Sequence, residues 1–202
     1  MLDNLSRLVT LNFNNMARTE TIQMPLGYIA PDFTLLDTVS NKQLSLQGLK
    51  GEKATVIMFI CNHCPYVKHV NTQLVKLAND YSSKGISFIA ISSNDVETYP
   101  QDGPELMTEN AKEENYPFPY LYDETQEVAK AYNAACTPDF SIFDKDLKCV
   151  YRGQLDDSRP KNDSISDGKD IRGVLDNILN DLPVSDNQFP SMGCNIKWKA
   201  NV

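Results

Sequence analysis

The ten residues from Phe59 to Lys68 constrain the fold more than any other stretch of the sequence. An apolar run stops there at Cys61 and Cys64, and a helical pattern begins at Pro65. A cysteine is reactive as its thiolate, and the amide donors and partial positive charge at a helix N-terminus stabilise that anion. The stretch therefore predicts a redox-active cysteine pair at a junction between a strand and a helix.

The sequence on both sides of this junction predicts its elements. Ala54–Ile60 is a continuous apolar run rich in β-branched residues, which is typical of a strand buried on both faces. After Cys64, apolar residues recur at helical spacing as far as Tyr81, and Pro65 fits the first turn of that helix. Ile86–Ser92 has the pattern of a second buried strand. A strand–helix–strand unit of this length predicts parallel strands with a right-handed crossover.

The other elements follow from the same patterns. In order, we predict a hairpin of Ala30–Asp37 and Lys42–Leu46, a helix over Glu105–Asn115, a strand over Phe118–Tyr122, a helix around Val128–Tyr132, a hairpin of Phe140–Phe143 and Leu147–Tyr151, and a helix over Ile171–Leu179. The chain of 202 residues fits one domain. We expect this domain over residues 24–183, a poorly ordered extension over 1–23, and an apolar tail over 184–202 that packs on the domain.

Composition limits the possible functions. The formal net charge of −8 argues against nucleic acid or an anionic membrane as a partner. Five cysteines cannot all pair within the chain, and their uneven spacing differs from that of a secreted disulfide scaffold. No apolar run approaches the length of a membrane span, and residues 1–20 lack a secretory pattern. We therefore expect a cytoplasmic protein.

The order of these elements resembles the thioredoxin fold with the N-terminal hairpin of its peroxiredoxin-like branch. Three motifs carry the resemblance, namely Cys61–Val67, Cys136–Phe140 and Tyr151–Pro160. They are similar to those of the Cys-x-x-Cys-containing, peroxiredoxin-like group of the alkyl hydroperoxide reductase/thiol-specific antioxidant superfamily. The resemblance implies a three-layer α/β fold with a central mixed sheet flanked by helices. It also implies antioxidant thiol chemistry with no cofactor and no bound metal.

Two alignments of the cysteine motif remain open. The peroxiredoxin pattern Pro-x-x-x-Thr-x-x-Cys places Cys64 at the peroxidatic position, Cys61 at the threonine and Ile57 at the proline. The two residues that orient and polarise a hydroperoxide are thus replaced, which argues against efficient peroxidase activity. The other alignment makes Cys61 the nucleophile and Cys64 its resolving partner. We prefer Cys64 as nucleophile because Pro65 places it at the start of the helix.

Three further residues resemble supporting groups of this family. Thr137 and Pro138 match the position before the active-site cis-proline and that proline itself, where the preceding residue pairs its backbone with a substrate strand. His63 either tunes the thiolate or is a solvated loop histidine.

For the remaining histidine, cysteine and charged residues, the sequence predicts structural roles. We expect His69 to be a partly exposed helix residue and Cys136 and Cys149 to be buried thiols. Four charged residues could form a polar cluster beside the active site or lie in a solvated loop with local ion pairs, and we expect the loop: Arg152, Asp156, Asp157 and Arg159.

The favoured function is thiol–disulfide exchange through Cys64 and Cys61, with a protein or small-molecule disulfide as substrate and an unidentified thiol as electron donor. A weak thiol peroxidase with a peroxidatic Cys64 is the first alternative. The second alternative is a metal-binding or metallochaperone protein that uses both cysteines and a histidine. A structural zinc half-site is disfavoured because a second Cys-x-x-Cys is missing from the sequence.

Overall fold

A computed structural model describes residues 18–200, so most of the expected N-terminal extension, residues 1–17, lies outside the described residues. The strands are β1 Arg18–Glu20, β2 Thr34–Asp37, β3 Lys42–Ser45, β4 Ala54–Phe59, β5 Ile86–Ser92, β6 Tyr120–Tyr122, β7 Cys136–Thr137, β8 Asp139–Asp144, β9 Cys149–Gly153 and β10 Met192–Asn195. The helices are α1 Leu46–Leu49, α2 Pro65–Tyr81, α3 Pro104–Glu113, α4 Glu127–Ala131 and α5 Lys169–Leu179.

A seven-stranded mixed sheet forms the centre of the fold, in the order β3-β2-β6-β5-β4-β8-β9. Strand β5 pairs in parallel with β4 and with β6, whereas the other neighbours are antiparallel. The parallel pairing of β4 with β5 across helix α2 confirms the predicted strand–helix–strand unit. The carboxyl end of β4 therefore leads directly into the cysteine motif.

The central strand β4 is buried on both faces, as its apolar run predicts. Val56 and Met58 point into a cluster with residues of α2, α3 and α5, whereas Ile57 and Phe59 point into a second cluster with residues of α1 and α4. Alternate residues of a strand face opposite sides of its sheet, so helices cover both. This arrangement confirms the predicted three-layer thioredoxin-like fold.

The first hairpin begins later than the sequence predicts, at Thr34 rather than Ala30. Ala30 instead donates its backbone N–H to the Leu147 carbonyl, and Gly27 donates to Cys149. Pro31 follows and has no N–H to continue a ladder, so the chain leaves this edge before β2 starts. Among residues 18–200, no helix has the length and apolar character needed to cross a membrane.

A smaller antiparallel sheet brings both ends of the described chain to the cysteine motif. Its order is β1-β10-β7, so the C-terminal strand lies between the N-terminal strand and the short strand before Pro138. The register places Cys194 of β10 opposite Arg18 on one side and opposite Thr137 on the other. Residues 18–20, which the sequence assigns to the extension, are thus strand-paired to the tail.

Candidate active site

Cys64 lies where the predicted junction places it. Strand β4 ends at Phe59, α2 begins at Pro65, and Cys64 is the N-cap of that helix with extended backbone angles, φ −68° and ψ 123°. Its side chain is fully buried. A helix N-terminus presents unpaired N–H groups and a partial positive charge to this position.

The Cys64 sulfur has close polar neighbours. Its Sγ lies 2.8 Å from the Cys194 Sγ and 3.1 Å from the Thr137 carbonyl oxygen. Burial opposes ionisation of Cys64. The Thr137 carbonyl oxygen accepts a hydrogen bond from the thiol form and therefore also favours the protonated state. Hydrogen bonds donated by the Cys194 and Cys61 thiols favour the anion, as does the backbone N–H of Val67. Together these donors lower the pKa of Cys64 well below its usual range.

Cys61 has the opposite character. Its hydrogen bond to Cys64 and its burial raise its pKa well above the ordinary value, and the charge of Asp102 adds to the effect. The Thr137 hydroxyl, 3.4 Å from the Cys61 Sγ, opposes this shift weakly. The hydrogen bond to Cys64, burial and the Cys64 charge likewise raise the pKa of Cys194. The arrangement therefore favours ionisation of Cys64 over ionisation of Cys61 or Cys194.

Asp102 holds the loop between the two cysteines in place. This carboxylate is fully buried, and its Oδ1 accepts hydrogen bonds from the backbone N–H groups of Asn62 at 2.9 Å and His63 at 3.3 Å. Its Oδ2 accepts a hydrogen bond from the Asn94 side chain at 2.8 Å. The loop conformation thus depends on a carboxylate from a distant turn.

The two histidines have separate partners. The Nδ1 of His63 lies 2.6 Å from Asp102 Oδ2, and its ring stacks on Tyr99 at 5.6 Å with an interplanar angle of 7°. His63 is thus a largely buried member of the loop between the two cysteines and not a solvated residue. His69 is partly buried on α2, and its Nε2 lies 3.0 Å from the Ser158 hydroxyl.

The Thr137–Pro138 peptide bond is cis, as its resemblance to the family motif implies. Both residues are buried beside the cysteines, and the Thr137 carbonyl faces Cys64. The backbone of Thr137 pairs with Cys194 of the tail strand. The position at which the resemblance places a substrate strand is therefore taken by the protein's own C-terminal segment.

The sequence pattern of the Redoxin family matches residues 25–169. The chain belongs to the Redoxin family. This confirms the resemblance found in the sequence and supports a redox function of the thiol–disulfide or peroxidase-like kind.

Solved structures resemble this Redoxin-family chain over most of its length. An uncharacterized conserved protein from Geobacillus kaustophilus is 60% identical, with a TM-score of 0.91 over 93% of this chain and 99% of that one. A hypothetical protein from Sinorhizobium meliloti 1021 is 42% identical, with a TM-score of 0.88 over 91% and 100%. The thioredoxin domain of a thiol-disulfide oxidoreductase from Bacteroides vulgatus, 18% identical, shares the fold with a TM-score of 0.59 over 76% and 99%. Among curated proteins, none matches the chain.

Sequence reasoning missed two residues of the site in this Redoxin-family chain. Asp102 was not singled out, because nothing in its turn-rich segment links it to a loop 40 residues earlier. Cys194 received no role, although a fifth cysteine, which makes the number of cysteines odd, in an apolar tail was a usable signal. Cys136 and Cys149 are buried thiols; burial raises the pKa of both, that of Cys149 to about 11.

The prediction of a solvated loop is wrong for two of its residues. Asp156 is buried, and its carboxylate accepts the backbone N–H groups of Ser158, Asp167 and Gly168.

Arg152 is fully buried. Its guanidinium donates to the Ile22 and Asn133 carbonyls, to Ser141 and to Asp139. A buried guanidinium needs such partners to offset the loss of hydration. Arg152 therefore fixes the sheet behind the cis-proline and does not face the Cys64 sulfur.

Proposed function

We propose that the protein is a thiol–disulfide oxidoreductase in which Cys64 is the nucleophile and Cys61 resolves the mixed disulfide. The observation that carries this proposal is the environment of the Cys64 sulfur, which lies at the N-terminus of a helix of 17 residues with thiol and N–H donors around it. Such donors stabilise the thiolate, the form that attacks a disulfide.

The reaction has two exchange steps. The Cys64 thiolate attacks one sulfur of a substrate disulfide, a bond forms between the two, and the other substrate sulfur leaves as a thiolate that takes a proton. Cys61 then loses its proton and attacks the Cys64 Sγ, which releases the second substrate thiolate. The substrate gains two electrons, and the protein is left with a Cys61–Cys64 disulfide.

Three groups support these steps. Thr137 contacts both sulfurs, through its carbonyl to Cys64 and its hydroxyl to Cys61. Pro138 follows it in the cis form, and its carbonyl accepts a hydrogen bond from the Ser191 hydroxyl of the tail. His63 acts through Asp102, because the pair holds the intervening loop. We assign all three to positioning.

We also propose a class of substrate, a class of reductant and a cellular compartment. The substrate is a protein or small-molecule disulfide, and a separate thiol reductant returns the pair to its reduced form. We propose a cytoplasmic location, because an odd number of unevenly spaced cysteines differs from a secreted disulfide scaffold.

An insulin-reduction assay with a dithiol reductant tests the proposal. We expect Cys64→Ser to abolish the catalysed rate and Cys61→Ser to lower it. Cys149→Ser is the matched control, since it removes another buried thiol outside the site and should leave the rate unchanged. The proposal is wrong if Cys64→Ser reduces insulin as fast as the wild type.

The peroxidase alternative has weaker support. Cys61 stands at the threonine position of the peroxiredoxin pattern, and a thiol is a weaker hydrogen-bond donor to a peroxide than the threonine hydroxyl. Peroxide would oxidise the Cys64 thiolate to a sulfenic acid. An adjacent thiol would then condense with this sulfenic acid, release water and form a disulfide. Peroxide consumption by the same variants distinguishes this reaction from disulfide exchange.

Metal binding is the second candidate, and one observation favours it. The fold brings together one donor atom each from Cys61, His63 and Asp102, and these three atoms lie within 4.8 Å of one another. One sulfur, one nitrogen and one oxygen ligand form a set that suits zinc. This set replaces Cys64 of the sequence-based prediction with Asp102. Titration of the reduced protein with zinc tests it, and Asp102→Asn should weaken the binding if these three residues are the ligands.

A further inference from the structure

The C-terminal strand places a third thiol against the nucleophile. The Cys194 Sγ lies 2.8 Å from the Cys64 Sγ, compared with about 2.04 Å in a disulfide. Both sulfurs are buried, so solvent does not reach them while the tail is docked. A disulfide between them would require only a small approach of the two side chains.

This contact is built into the fold by hydrogen bonds on both sides of Cys194. On the N-terminal side, the Ser191 hydroxyl donates to the Pro138 carbonyl at 2.8 Å. On the C-terminal side, the backbone N–H of Lys197 donates to the Asn94 side chain at 2.8 Å. The Lys197 carbonyl accepts hydrogen bonds from the Gln126 side chain and from the backbone N–H of Asp95, each at 2.8 Å. The tail is therefore held in register across the cysteine motif.

Gly193 allows the tail to approach this closely. A Cβ placed on Gly193 would lie 2.0 Å from the Thr137 carbonyl oxygen and 3.1 Å from the Pro138 nitrogen. Atoms this close clash with backbone that cannot move aside, so any larger residue would push the strand away. The glycine before Cys194 thus fits a strand that must lie against Thr137.

We propose that Cys194 is a second resolving cysteine and that the tail is an internal exchange partner, seated where a substrate strand would bind. This inference rests on the proposed function, because it takes Cys64 as the nucleophile. Exchange with a substrate disulfide, which is reduced to two thiols, would then produce a Cys64–Cys194 disulfide that holds the tail over the site, and a thiol reductant would release it.

The exchange steps require only the substrate disulfide and the thiols of the protein. Once Cys64 carries a mixed disulfide with substrate, Cys194 loses its proton and attacks the Cys64 Sγ, and the substrate sulfur leaves as a thiolate. Cys61 can then attack Cys64 in turn, forming the Cys61–Cys64 disulfide and releasing Cys194. In the reduced protein, the tail would thus compete with substrate for pairing with the Thr137 backbone. After the reaction with substrate, Cys194 would pass the disulfide on to Cys61.

The test follows the full-length protein after mixing with oxidised glutathione, acid quenching, alkylation and tryptic digestion. Residues 54–68 and 173–197 fall on different tryptic peptides, so a Cys64–Cys194 bond links two peptides and a Cys61–Cys64 bond links none. In Cys61→Ser, we expect the linked peptides to form and the glutathione adduct to be transient. In Cys61→Ser/Cys194→Ser, we expect a persistent adduct on Cys64.

The difference in adduct lifetime should be at least about tenfold, because a positioned thiol has an effective concentration above the millimolar range of flexibly tethered groups. If the double variant forms no adduct, the proposed function fails. If it forms one and Cys61→Ser keeps an equally long-lived adduct, the role of Cys194 is refuted while the proposed function stands.

A pair of glycine variants separates tail docking from the loss of a thiol. Gly193→Ala in the Cys61→Ser background should slow formation of the linked peptides by about tenfold or more and expose Cys64 to alkylation. Gly173→Ala is the matched control, since a Cβ at this exposed helix position meets nothing within 4 Å. Equal linking rates in the two variants would contradict a docked tail as the source of the reaction.

Discussion

Replacing Asp102 by asparagine should both destabilise the protein and change the chemistry of Cys61. One oxygen of the carboxylate accepts the backbone N–H groups of Asn62 and His63. The other accepts the Asn94 side chain and lies 2.6 Å from the His63 Nδ1. An amide of the same shape keeps one oxygen, but its NH₂ group faces the NH₂ group of Asn94. The substitution therefore removes a charge and leaves one buried donor without its acceptor.

The magnitude follows from these contacts. A hydrogen bond to a charged group contributes about 1.5–3 kcal/mol and a neutral one about 0.5–1.5 kcal/mol. Weakening the two backbone bonds and losing the Asn94 bond should lower the free energy of unfolding by about 2–4 kcal/mol. Loss of the nearby negative charge should also lower the pKa of Cys61, because that charge disfavours its thiolate.

Urea unfolding of the reduced protein measures the first effect, and the pH dependence of Cys61 alkylation in a Cys64→Ser background measures the second. Asp123→Asn is the matched control: this carboxylate is equally buried but accepts hydrogen bonds from Ser93 and Ala129, away from the cysteine loop. It should lower stability without moving the pKa of Cys61. An unchanged Cys61 pKa in Asp102→Asn would refute the electrostatic argument.

Two further predictions concern stability. Arg152→Met should cost about 3–5 kcal/mol in urea unfolding, because it leaves the buried Asp139 carboxylate without its cation; a loss below about 1 kcal/mol would contradict this. The pKa of Cys64 is lower in the folded protein than in the unfolded chain, so its thiolate stabilises the fold. This contribution to the free energy of unfolding is complete above the pKa of the unfolded thiol and is lost as pH falls through the pKa in the folded protein. The stability difference between reduced wild type and Cys64→Ser should therefore rise by about 1.4 kcal/mol per pH unit between roughly pH 5 and 8, and a flat difference would exclude a native thiolate.

The elements around the cysteines were predictable because their signals are local. The continuous apolar run of β4 and the helical spacing of α2 each report burial directly, and the proline after Cys64 marks the helix start. The cis Thr137–Pro138 bond was predictable only through the resemblance to a family motif.

The rest of the site depends on contacts between distant segments. Cys194 meets Cys64 across 130 residues, and Asp102 reaches its loop from a turn with no periodic pattern. Arg152 suggested a solvated loop because charged residues follow it, but its partners lie on the neighbouring strand and in preceding loops. Single-sequence patterns carry no record of such pairings.

The most direct test of the account locates the first bond formed with a disulfide. Reduced Cys61→Ser/Cys194→Ser and Cys64→Ser/Cys194→Ser are mixed with oxidised glutathione at neutral pH, and adducts are identified by mass spectrometry. We predict that Cys64 in the first variant reacts at least about tenfold faster than Cys61 in the second, because attack requires the thiolate. Faster reaction at Cys61 would contradict the assignment of Cys64 as the nucleophile.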